Sequence, residues 1–131
     1  MKLKKYISMK EIVVSAFTEE YEIIVVIGTI KELTNYLYKE TRGRTKGQIE
    51  EIVSQQRGGT WDRLKTANNH PIISINGDLP VTESLPALAH EASHAASYIM
   101  DYIGLEDPSD EFKGHIISAV MRQCMKKLKI K

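Results

Sequence analysis

Two Ile/Val-rich runs, Glu11 to Phe17 and Tyr21 to Gly28, open the patterned part of the chain, separated by the polar link Thr18-Glu19-Glu20. β-branched runs around a short polar link predict an antiparallel hairpin. Ile23 to Ile27 shows no polar alternation. That suits a central strand covered on both faces, with a buried helix as the competing reading of so short a run. The period then becomes helical. Thr29 and Glu32 stand at capping-box spacing ahead of Ile30, Leu33, Leu37 and Tyr38, in a helix that ends before Gly43. Thr45 and Gln48 repeat the spacing ahead of Ile49, Ile52 and Val53, a shorter helix stopped by Gly58-Gly59. Pro71 to Asn76 alternates weakly through Ile72, Ile73 and Ile75 and closes on Asn76-Gly77-Asp78, a third strand. Two longer helices follow. One runs from Leu85 to Ile103, with Ser84 as its cap, Pro86 in the first turn and Gly104 as its stop. The other runs from Pro108 to Lys129, opened by Asp107-Pro108. This order of elements predicts an α+β fold, a small mixed sheet packed on helices.

The first of these long helices carries His90-Glu91-Ala92-Ser93-His94, an H-E-x-x-H array. Leu85, Leu88, Ala89, Ala92, Ala95, Ala96, Ile99 and Ile103 recur at helical spacing and define its buried face, leaving His90, His94, Ser97, Tyr98 and Asp101 on an adjacent one. Histidines four apart share one face, so both imidazoles can converge on one ion. Zinc takes imidazole nitrogen, and a catalytic site has three protein ligands with the fourth position open to water. Glu91 lies about 100° round the helix from His90, beside that fourth position. There it can take a proton from a water whose pKa the metal lowers to about 7, and return it to a leaving group. The expected metal is zinc; iron(II) suits a similar triad where more positions stay open.

The expected third ligand is Glu111, because the short connection from Gly104 to Asp107 makes the last helix an antiparallel neighbour of the first. The alternative for Glu111 is an acidic side chain favoured near a helix N-terminus. His115, one turn on, is a competing ligand, a donor to the oxyanion formed during carbonyl attack, or a surface histidine. On the last helix Phe112, Ile116, Ala119, Val120, Cys124 and Leu128 form the buried side, beside a stripe of Glu111, His115, Ser118 and Arg122. Tyr98 and Tyr102 either stabilise an oxyanion or pack, and Asp101 is placed to orient a ligand imidazole. His70 reads as a solvated or locally bonded loop residue in preference to a site residue, Trp61 as a packing residue, and Arg42 to Gly47 as a basic surface turn in preference to an anion-binding loop.

Composition narrows the setting. A chain of 131 residues forms one domain, residues 1–131, without room for a separate substrate domain. A net charge of +1 argues against a nucleic-acid partner. The basic start is broken by Lys10 and Glu11, so neither a signal-type apolar region nor a membrane span is expected. A single cysteine, Cys124, on the apolar side of its helix reads as a buried reduced thiol, and the expected location is the cytoplasm.

Residues 84 to 124, with His90-Glu91-x-x-His94 and the acidic helix start Asp110-Glu111, resemble the zincin metallopeptidases, and among them the gluzincin arrangement of two histidines and a glutamate. The metzincin continuation is missing: Ser97 stands where that pattern has glycine, and Met100 where it has the third histidine. Glu111-x-x-Gly114-His115 is also similar to the third-ligand helix of small phage-immunity metallopeptidases and of short phage or prophage zincin-like proteins. The resemblance implies a zinc site between two helices and hydrolysis of a peptide bond, with Glu91 as general base, on a peptide or protein substrate that the small size makes a narrow one. It also implies an edge strand that holds the substrate backbone, for which the order of elements nominates Ile72 to Ile75. Two other readings compete. One is a non-catalytic zincin-like zinc-binding module of a phage or mobile element; the other is a metal-free helical interaction protein.

Overall fold

The computed structural model describes residues 9–15, 22–41, 43–61, 70–102 and 110–129. Four strands, β1 (Lys10–Ser15), β2 (Glu22–Gly28), β3 (Gly58–Trp61) and β4 (Ile72–Asn76), form one mixed sheet in the order β1-β2-β4-β3. β1 pairs antiparallel with β2, β2 runs parallel to β4, and β4 pairs antiparallel with β3. Helices cover both faces. α1 (Ile30–Glu40) and α2 (Lys46–Ser54) share a core with Val26, Trp61 and Ile72; α3 (Val81–Tyr102) and α4 (Asp110–Leu128) share the other with Ile12, Val14, Ile23, Val25, Ile73 and Ile75. Successive residues of a strand point to opposite faces, so Ile72 and Ile73 enter different cores and the unbroken Ile/Val run of β2 is buried on both sides.

The α+β class and the β1–β2 pairing agree with the sequence pattern, although the expected Thr18-Glu19-Glu20 link lies outside the described residues. Both capping boxes form: Thr29 Oγ1 accepts from the Glu32 amide and Thr45 Oγ1 from the Gln48 amide, each reciprocated by the acidic or amide side chain. No helix among the described residues is long and apolar enough to cross a membrane. The expected stop at Gly104 and cap at Asp107 fall outside the described residues.

Three expectations are corrected. Helix α3 starts at Val81 rather than Leu85, with the Pro80 carbonyl accepting from the Glu83 and Ser84 amides, each at 2.9 Å. Ser84 is therefore inside the helix instead of capping it, and Pro86 lies in its interior, where its missing N–H leaves the Thr82 carbonyl without the usual donor four residues on. Second, Gly58-Gly59 is no mere helix stop: it begins strand β3. Glycine has low intrinsic β preference, and here tertiary pairing with β4 decides. Third, Ile72 to Ile75 is a central strand with neighbours on both sides, so its backbone is engaged and β3 holds the edge instead.

Small residues let α3 approach the sheet: Ala92, Ala95 and Ala96 are fully buried beside Leu88 and Ile99. Ile116, Val120 and Cys124 of α4 complete that core. The Gln123 side chain accepts from the Ser15 amide at 3.3 Å and donates to the Ser15 carbonyl at 3.1 Å, tying α4 to the end of β1. Burial pushes the Cys124 thiol up to about 11, as the reading of an unreactive core thiol requires. At pH 8 this shift from 9.0 lowers the thiolate fraction by about a hundred-fold, so a thiol reagent is expected to label the native protein at least that much more slowly than the denatured one.

Candidate functional site

The α3 helix presents His90 and His94 on its exposed side, and their Nε2 atoms lie 3.2 Å apart, with ring centroids at 4.8 Å and planes at 83°. Two nitrogens bound to one tetrahedral zinc at the usual bond lengths must sit about 3.3–3.4 Å apart. The separation is close to what a shared ion would need, and it is equally that of a hydrogen bond between one protonated and one bare nitrogen.

Glu91 lies on the sheet side of the helix and lines the same cleft as His90. One position along α3, it turns toward the sheet and is 9% exposed, while its neighbours His90 and His94 are exposed. Its Oε1 accepts from Thr60 Oγ1 of β3 at 2.6 Å. A buried carboxylate without donors is costly, and this bond is the compensation the strand supplies. Gly58, two residues back on the same face, leaves room for the glutamate stem. A Cβ there would lie 2.9 Å from Ile75 Cδ1, 3.1 Å from the Ser74 carbonyl and 3.2 Å from Glu91 Cγ. Gly58→Ala is expected to destabilise the fold by about 1–3 kcal/mol through overpacking, read as a lower denaturation midpoint at unchanged slope. Gly59 faces the opposite layer, where Trp61 Nε1 donates to Ser74 Oγ at 3.0 Å.

β3 is an edge strand: among the described residues it pairs with β4 alone. The Asn76 amide donates to the Arg57 carbonyl at 3.0 Å, and Gly58 stands opposite Ile75. Ladder bonds alternate in an antiparallel pair, so Gly59 and Trp61 bond to β4 while the backbone N–H and C=O of Gly58 and Thr60 turn to the open edge. Between this strand and α3 lies a cleft of about 420 Å³ lined by residues of the 56–58 segment, the first turns of α3, His90 and Glu91. Arg57 and Glu83 form an ion pair at 3.3 Å within it, both partly solvated, so the pair adds only about 0–1 kcal/mol to stability.

The remaining sequence candidates are distributed as follows. Glu111 and His115 are both exposed on α4. Among the described residues no group of three or more His, Cys, Asp or Glu side chains converges as a metal site, so the histidine pair is brought together and Glu111 is not seen joined to it. Tyr98 and Asp101 continue the exposed stripe of α3 beyond His94; the Tyr102 side chain lies outside the described residues. His70 bonds not locally but to Glu22, its Nδ1 lying 3.2 Å from the Glu22 amide and 3.1 Å from the Glu22 carbonyl. The basic turn is used for packing, with the Arg44 guanidinium 5.5 Å over the Trp61 ring and Lys46 Nζ 5.4 Å over that of Tyr38. Sequence reasoning missed Thr60, Gly58 and the cleft. A strand beginning Gly-Gly has no apolar alternation, and only its pairing with β4 reveals it. Comparison with protein-family models, with curated proteins and with solved structures finds no match to this chain.

Proposed function

We propose that this chain is a zinc-dependent peptidase of zincin-like type, in which His90 and His94 hold the metal and Glu91 is the general base. The observation that carries the reading is the histidine pair, Nε2 to Nε2 at 3.2 Å, with His90 and Glu91 lining one cleft beside an open-edged strand. The donor set fits zinc: two imidazoles at tetrahedral spacing, to which Glu111 is the proposed third ligand and His115 the next candidate. Bound by these residues, zinc would supply Lewis acidity to a water and a peptide carbonyl. The chain's own residues do the rest. The outward amides and carbonyls of Gly58 and Thr60 suit pairing with an extended substrate backbone, which replaces the assignment of that task to Ile72–Ile75. The cleft beside them admits a side chain. Glu91 takes a proton from the attacking water and delivers it to the leaving amine.

A narrow protein substrate fits a single small domain. The alternative, a zincin-like zinc-binding interaction module of a phage or mobile element, keeps the metal but has no use for the carboxylate in the cleft. Elemental analysis of untagged wild type, His94→Ala and Glu111→Ala, followed by turnover of a quenched fluorescent peptide library by the zinc-loaded protein, separates the two. Zinc with turnover supports the peptidase, zinc without turnover the module, and absence of zinc after it is offered sinks both.

A further inference from the structure

Thr60 belongs to two arrangements at once. Its backbone N–H and C=O face the open edge of β3, where an extended chain would pair, and its side chain stands at right angles to them, in the layer between β3 and α3. There its hydroxyl approaches Glu91 twice, at 2.6 Å from Oε1 and at 3.1 Å from the backbone carbonyl. A hydroxyl has one proton to donate, and the shorter contact, to the ionisable oxygen, receives it. Glu91 is nearly buried, with Gly58 against its Cγ and no room for a Cβ there. The side chain is thus held against β3, with Gly58 beside its stem and the Thr60 hydroxyl on its carboxylate.

We infer that Thr60 is a positioning residue: its hydroxyl sets the orientation of the Glu91 carboxylate, and a chain docked on β3 is sensed through it. The inference rests on the peptidase reading of the site. Substrate pairing at Gly58 and Thr60 stiffens the strand from which Glu91 is held, so docking and alignment of the base occur together. β-branching suits Thr60 to the strand, and valine would keep that shape but leave the buried Glu91 carboxylate without its donor.

The test compares wild type with Thr60→Val, which keeps shape and loses the donor, and Thr60→Ser, which keeps the donor. Side-chain couplings of ¹³C-labelled Glu91 are measured in the metal-free protein, and kcat and KM on a quenched fluorescent peptide in the zinc-loaded protein. Thr60→Val is expected to let Glu91 average over rotamers and to lower kcat on the order of ten- to a hundred-fold, with KM and zinc content little changed. Thr60→Ser is expected to restore the single rotamer and most of kcat. A single Glu91 rotamer in Thr60→Val, or a serine variant that behaves like valine, overturns the positioning role. Absence of turnover by zinc-loaded wild type overturns the peptidase reading instead, and the couplings still decide whether Thr60 orients Glu91.

Discussion

Glu91→Gln is expected to abolish turnover of a peptide library, by about 10²–10⁴-fold in kcat, while zinc content stays at the wild-type level. Glutamine matches glutamate in shape and can still accept the Thr60 hydroxyl through its carbonyl oxygen, so the 2.6 Å contact has a replacement and the β3–α3 interface is retained. What is lost is the ability to take up and return a proton. The expected pattern is therefore a loss of kcat without loss of metal, with a thermal midpoint within a few degrees of wild type. Turnover that persists in Glu91→Gln removes the carboxylate from the chemistry and leaves its burial as a structural matter.

His94→Ala is expected to bring zinc from about one ion per chain to near zero, because on the proposed reading it removes one of three ligands. His94 is exposed and its packing is slight, so stability of the metal-free protein should change by no more than about 0.5 kcal/mol. This combination separates ligation from folding: a core histidine would give the reverse, a large loss of stability at unchanged metal content. Glu111→Ala is the companion measurement. Loss of zinc there places Glu111 in the site, and retention passes the third position to His115.

Much of this molecule was legible from local pattern. The caps at Thr29 and Thr45 are single-residue signals whose partners lie three positions away, so no tertiary information is needed to read them. Leu88, Ala92, Ala95, Ala96 and Ile99 are buried as helical spacing requires, Leu85 and Ala89 of the same expected face are half-buried, and the exposed pairing of His90 with His94 follows from the four-residue repeat. Helix ends were harder. The start of α3 moved from Leu85 to Val81 because the Pro80 carbonyl, rather than the Ser84 hydroxyl, begins the ladder, and both are compatible with the same string of residues.

The sequence by itself therefore determined the periodic elements, the α+β class and the pair of imidazoles on one helix, all of which depend on residues within one or two turns of each other. Tertiary structure decided which strand is an edge. Ile72–Asn76 has the stronger strand pattern yet is enclosed between β2 and β3, while Gly58–Trp61, with little pattern of its own, takes the outside position. It also decided that Glu91 is buried against Thr60, a contact across 31 positions of chain that no local period encodes. Strand order and such long-range bonds are selected by how two cores close on the two faces of a sheet, and that closure is a property of the whole chain.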